Sequence, residues 1–257
     1  MKITEKINRS RYVLKELLNN EWDVSVISDY SLQEIDKIYQ NIDISDQYIK
    51  SYGNGFICNI RLQHKIIDNH YLHVLYFNFP ELSPDASNVK VTKKNLEKVK
   101  KLYESEYFNI NDSVIIVINE SVSESIQMGI DNLNIELQNE LSISGLDAET
   151  LKVFDDKNIE LNREYNLKHF RNIHILDIDS ITNNLLNHRL VPKHKIIRNK
   201  TEINEILSNC NANINQLPII LKNDIIARLI RMVPGDVCEI KRINSKCGEN
   251  NFYRVCK

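Results

Sequence analysis

Asp177 and Asp179 flank Ile178 at the end of an apolar run, Asn172 to Asp179, that reads as a β-strand. Side chains two apart on a strand project to one face. Paired carboxylates at a strand end can hold Mg²⁺ or Mn²⁺ in nucleases and in nucleotidyl or glycosyl transferases. The plainer use is as loop-forming acids leading into a helix cap at Ser180. No lysine or third carboxylate stands at a convincing metal-site spacing, so the plainer use is preferred and the metal-dependent nuclease stays as an alternative.

Other chemistry-bearing residues are dispersed. His70 and His73 are three apart, which on a strand sends them to opposite faces and away from a shared metal. His169 and His174 bracket a turn, and His188 and His194 bracket a change of texture; none has a Ser or Cys nucleophile in a recognisable context, so satisfied surface or interface histidines are expected. Cys58, Cys210, Cys238, Cys247 and Cys256 include no CxxC pair. A structural zinc site is therefore not expected, and the thiols read as reduced. Gly53-Asn54-Gly55 lacks the Lys-Ser/Thr ending of a phosphate loop and follows no strand, so it reads as a turn. No catalytic constellation, metal, cofactor or small-molecule ligand is expected.

The elements that must position these residues follow from periodicity. Ile3 to Leu18 carries Ile3, Ile7, Leu14, Leu17 and Leu18 at helical spacing. Ser31 with Glu34 is a capping-box pattern opening a second helix, with Leu32, Ile35, Ile38, Tyr39 and Ile42 as its inner face. Phe56–Leu62 and Tyr71–Phe79 read as strands joined by a turn at Asp68 and Asn69 and closed by Pro80 and Pro84. Thr92 predicts a helix with Leu96, Val99, Leu102 and Tyr103 on one face. Ser113–Asn119 reads as a strand buried on both faces. A short helix is predicted from Ser121, with Glu124 at the capping-box position. Residues 134–166, rich in Asn, Glu and Asp, read as a surface insertion. Strands alternating with helices predict an α/β or α+β unit.

Charge separates the rest. From His188 onward there are thirteen Lys/Arg against six acids, leaving twenty against twenty-nine before it. This asymmetry predicts two domains, 1–187 and 188–257, the second a small basic α/β module. In that module Pro192 opens an extended segment, Thr201–Leu207 is a short helix, and Asp224 caps another after Pro218. Pro234-Gly235 turns into a hairpin of Val237–Ile243 and Phe252–Cys256, linked by a Ser245–Asn251 loop. Lys222, Arg228, Arg231, Lys241 and Arg242 could meet phosphates, which keeps a stand-alone DNA binder as an alternative. They lack the interleaved aromatics of a single-strand platform. No run approaches the roughly 20 apolar residues of a membrane span, and no secretory leader is evident; a soluble, intracellular chain is expected.

Several motifs of this module stand in a familiar order: Leu190-Val191-Pro192-Lys193-His194, Gln216-Leu217-Pro218, Asp224 with Ala227-Arg228, Gly235-Asp236-Val237 with Ile240 and Arg242, and Tyr253-Arg254. They resemble the subunit 5 family of eukaryotic-type DNA-directed RNA polymerases, whose archaeal counterpart lacks the N-terminal domain and corresponds to the C-terminal module. Two turns depart from the family pattern. Ile225 stands where Pro usually follows the aspartate, and Glu249-Asn250-Asn251 stands where Gly-Arg-Tyr is usual.

The helical start at Asn8–Leu18, Trp22, the Val114–Ile118 strand and Ser121–Met128 are similar, more loosely, to the jaw domain of eukaryotic members. The resemblance implies a non-catalytic subunit that assembles with the largest and other polymerase subunits and forms part of the jaw around downstream duplex DNA in transcription. Pro192, His194, Gln216, Pro218, Asp224, Arg228, Gly235, Arg242, Tyr253 and Arg254 are its candidate partner-interface residues. The Asn-, Ile- and Lys-rich composition suggests an AT-rich, large-DNA-virus origin. Virion and host cytoplasm are then the expected locations, with the nucleus as the alternative.

Overall fold

The computed structural model describes residues 1–43, 45–80, 90–146, 148–162, 167–244 and 248–257. Pro84, Cys247 and the tip of the final hairpin lie outside the described residues. The chain has an α+β fold and divides into two compact units, Met1–Leu146 with Phe170–Asn183, and Asp147–His169 with Asn184–Lys257.

The first unit begins with α1 (Ile3–Leu18), α2 (Leu32–Gln40) and α3 (Gln47–Tyr52). The Ser31–Glu34 capping box is formed as its sequence predicts. Of the inner face expected for α2, Ile35 and Tyr39 are buried, whereas Leu32 is exposed because it is the first helical residue. Next come β1 (Ile60–Gln63), β2 (Tyr71–Tyr76), α4 (Lys93–Glu104), β3 (Ser113–Ile118), α5 (Glu124–Ser144) and, later in the chain, β4 (Ile173–Asp177). The sheet order is β1-β2-β3-β4; β1 is antiparallel to β2, and the other pairs are parallel.

Parallel neighbours need long crossovers, and α4 and α5 occupy those connections. Leu96, Val99 and Leu102 of α4 and Ile126, Ile130, Leu133 and Leu137 of α5 share a buried cluster with Val114, Ile116, Ile118, Ile173 and Ile175. β3 is buried at all six positions, as its apolar run requires.

Several boundaries differ from the sequence reading. Residues 54–58 form a 3₁₀ turn, so the first strand starts only at Ile60. The cap of α5 is Ser123, whose Oγ accepts from the Ile126 N–H, and the helix runs 21 residues. The weakly periodic stretch beyond Asn134 is largely helical: it completes α5 and forms α6 (Ala148–Glu160). Asn134 faces inward for a specific reason. Its amide donates to the Ile173 carbonyl and accepts from the Ile173 N–H, both at 2.8 Å, satisfying backbone groups on the outer side of β4.

In the second unit, β5 (Lys193–Ile197), α7 (Lys200–Asn209), β6 (Ile219–Ile220), α8 (Ile225–Leu229), β7 (Val237–Asn244) and β8 (Gly248–Cys256) follow one another. The sheet order is β5-β7-β8-β6. Ile203 and Ile206 of α7 pack with Ile197, Val237 and Val255 on one face. Ala227 of α8 and Met232 pack with Ile220, Cys238, Ile240 and Cys256 on the other. β8 begins at Gly248, so Glu249, Asn250 and Asn251, expected in a loop, lie in the strand opposite Ile243, Arg242 and Lys241.

Candidate functional site

In the second unit, pairing places His194 opposite Ile240 and Ile240 opposite Phe252. Directly paired side chains share a face, and residues two along a strand return to it. His194, Arg242, Phe252 and Arg254 therefore lie on the face that α8 partly covers. Phe252 remains 46% exposed, and the Arg242 guanidinium sits 4.9 Å from its ring centroid. Arg254 donates to the Ile219 carbonyl at 2.9 Å, which fixes its head beside the short strand β6.

His194 Nδ1 donates to the Pro192 carbonyl at 2.7 Å, fixing the tautomer and orienting the ring. Partial burial pushes the imidazole below its ordinary value. The Pro192 carbonyl and Asp224 oppose that shift, while Arg242 and Arg254 reinforce it. A neutral ring between two guanidiniums and an exposed phenyl makes a surface suited to carboxylates, carbonyls and apolar side chains of a protein partner.

The remaining candidates build the frame of this face. Asp224 caps α8, its carboxylate accepting from the Ile226 and Ala227 N–H groups; Arg228 is in the last turn of that helix. Ile225 is the first helical residue, where an N–H has no intrahelical acceptor, which is why the family's proline fits there. Gln216 closes a capping box by accepting from the Asn213 N–H at 2.7 Å. The Pro218 carbonyl accepts from the Val255 N–H at 2.9 Å, seating β6 against β8. Gly235 has φ +104 and turns the chain into β7, a conformation that L side chains rarely adopt. Tyr253 points to the opposite face, against the α7 cluster.

A buried ionic clasp precedes β7. Asp236, 5% exposed, accepts from His169 Nε2 at 3.0 Å, from Arg198 Nη2 at 3.2 Å and from the Val233 N–H at 3.0 Å. Burial by itself would raise the Asp236 carboxyl, yet the Arg198 guanidinium and His169 hold it well below the usual carboxylate range. Nearby, the Asn162 carbonyl accepts from the Lys200 N–H at 2.9 Å and its amide reaches Thr201 Oγ1 at 2.5 Å. Sequence reasoning missed Phe252 and the His169–Asp236–Arg198 clasp. The first shows as the residue two before Arg254 on a strand; the second joins positions 67 apart and leaves no local pattern.

The other sequence candidates are structural. Asp177 ends β4, and its Oδ1 accepts from the Ser180 N–H at 2.8 Å; Asp179 lies in the following 3₁₀ turn and pairs with Lys6 at 2.7 Å. The two acids thus do not form an i, i+2 pair on a strand. His70 Nδ1 donates to the Asn111 carbonyl, and His73 Nε2 pairs with Asp112. His169 and His174 are buried, contrary to the surface expectation. His188 Nδ1 accepts from the Leu190 N–H at 3.3 Å.

Gly53 has φ +88 at the end of α3, and a Cβ there would lie 2.8 Å from the Phe79 carbonyl. Close packing therefore explains that glycine. Cys58, Cys238 and Cys256 are buried, with thiols pushed up to about 11, 11 and 12 by burial. Among the described residues no group of three His, Cys, Asp or Glu could hold a metal ion, and no helix is long and apolar enough to cross a membrane.

Residues 183–256 match the family model of the RNA polymerase Rpb5 C-terminal domain. The chain is also similar, over a stretch of about that length, to DNA-directed RNA polymerase subunit Rpo5 of three archaea. Identity to the Archaeoglobus fulgidus protein is 41% over 71 residues, 28% of this chain and 92% of the relative. For Methanococcus maripaludis it is 37% over 68 residues, 26% and 86%. For Nitrosopumilus maritimus it is 40% over 67 residues, 26% and 80%. The matched region contains both faces of the second sheet and all ten candidate residues, and on this ground the chain belongs to the RNA polymerase subunit 5 family.

Proposed function

We propose that this chain is a non-catalytic structural subunit of a multisubunit DNA-directed RNA polymerase, docking through its C-terminal module on the largest subunit. The observation that carries this reading is the gathering of His194, Arg242, Phe252 and Arg254 on one sheet face inside the region that matches the family model. The face combines an exposed aromatic with guanidiniums, the residue types enriched at protein interfaces. The same reading makes the N-terminal unit part of the jaw beside downstream DNA. In its support, α4 carries five lysines against two glutamates within the acidic part of the chain, and clustered lysines suit a phosphate backbone. The Asn- and Ile-rich composition supports a large-DNA-virus origin, with action in virion and host cytoplasm.

Affinity purification of tagged chain from its native source, with identification of co-eluting subunits, tests the assembly role. Wild type is expected with both large polymerase subunits, and Phe252→Asp with Arg242→Glu is expected to release them while the chain keeps its unfolding temperature. Elution of wild type without the large subunits would remove the reading.

A further inference from the structure

The N-terminal sheet carries a second constellation, separate from the docking face. A cavity of about 240 Å³ opens beside β1 and β2, lined by Arg61, His73, Leu75, Tyr107 and Phe108 together with the Asn59–Ile60 turn. Arg61 pairs directly with His73, so the two side chains share a face, and Leu75 follows two residues on. The segment after α4 lays Tyr107 and Phe108 over them.

The imidazole is held from behind. His73 Nε2 lies 2.8 Å from Asp112 Oδ2, and that carboxylate also accepts from the Tyr71 and Asn109 N–H groups at 3.1 and 3.0 Å. The ring rests on Phe108 with centroids 4.3 Å apart. A carboxylate that orients one side of an imidazole leaves its other nitrogen for a ligand.

The mouth is aromatic and cationic. The Arg61 guanidinium lies 3.8 Å from the Tyr71 ring centroid. Tyr107 is 41% exposed and sits 5.0 Å from Tyr48, which stacks on Phe56 at 5.4 Å and 7°. Asp46, whose charge is felt at Tyr107, caps the start of α3, where it accepts from the Tyr48 and Ile49 N–H groups. Exposed rings beside a flat guanidinium are what base stacking and phosphate pairing use, and an oriented imidazole can bond a base edge.

We propose that this cavity receives one nucleotide unit of single-stranded nucleic acid, its base on Tyr107, its edge at His73 and its phosphate at Arg61. The proposal does not depend on polymerase assembly. Fluorescence anisotropy of a short labelled oligothymidylate with the full-length chain tests it, with unlabelled AMP and a duplex as competitors. Saturable binding is expected, weakened by at least about tenfold in Arg61→Gln and in Tyr107→Leu, with both variants retaining the wild-type unfolding temperature, and little changed in Arg242→Gln. Competition by AMP would make the free nucleotide sufficient, and strand binding that resists AMP would make the chain the ligand; both uphold the site. Absence of saturable binding, equal affinity in wild type and both cavity variants, or full displacement by duplex alone would overturn it.

Discussion

Replacing Asp236 with Asn tests the buried ionic clasp of the second unit. The carboxylate is 5% exposed and neutralises Arg198, whose side chain is 10% exposed, while also bonding His169 and the Val233 N–H. Asn keeps the shape and one acceptor but removes the buried charge that the Arg198 guanidinium and His169 contact. Breaking a buried pair in this way costs about 3–5 kcal/mol. Total stability of a domain is roughly 5–15 kcal/mol. In a unit of about 100 residues each kcal/mol moves the midpoint by about 4–8 °C, so a fall of at least about 12 °C is expected.

The clasp also has a pH signature. Because the folded carboxyl lies well below its ordinary 3.8, its stabilisation is complete above that pH and is lost as pH falls below it. Thermal unfolding of full-length wild type and Asp236→Asn between pH 7 and pH 2 is the assay. Wild type is expected to lose more stability than the variant below about pH 4. A midpoint lowered by less than about 4 °C, or identical acid profiles in the two proteins, would refute the account of the clasp.

Other substitutions probe single elements. Ile225→Pro restores the family's residue at the first helical position of α8 and is expected to stabilise the second unit by about 0.4–1 kcal/mol, read by urea denaturation; a loss would show that the Ile225 N–H or side chain is needed. Asn134→Leu is expected to cost about 2–4 kcal/mol because both Ile173 backbone groups lose their partner. Asp177→Ala is expected to leave any Mg²⁺- or Mn²⁺-dependent DNA cleavage by the purified protein at the level of wild type, since its carboxylate is spent on the Ser180 N–H; cleavage abolished by this change would revive the nuclease alternative.

The helices and buried strands were legible where side chains alone decide them. Thr92 starts α4 and Leu96, Val99, Leu102 and Tyr103 are its buried face, as the spacing predicts. The all-apolar run at Val114 to Ile118 could only be a strand covered on both sides. Asp224 and Gly235 announced a cap and a turn through local chemistry that needs no tertiary partner.

What escaped the sequence depends on distant groups. Asn134 looked like part of a polar insertion because its two partners lie on β4, 39 residues later. Asp177 and Asp179 are the loop-forming acids that the sequence favours, but the strand, read as running to Asp179, stops at Asp177 where a 3₁₀ turn begins, and nothing local reveals that end. The motifs name positions only, and strand register alone separates those that share the sheet face of Phe252, such as His194 and Arg242, from those that build the turn, cap and opposite face, such as Gly235, Asp224 and Tyr253.

The most direct measurement is the subunit composition of native polymerase isolated through a tag on this chain. The two large polymerase subunits are expected in stoichiometric amounts with wild type and to be lost from the Arg242→Glu, Phe252→Asp protein. Recovery of the chain without them, or equal recovery with both proteins, would contradict docking through this face.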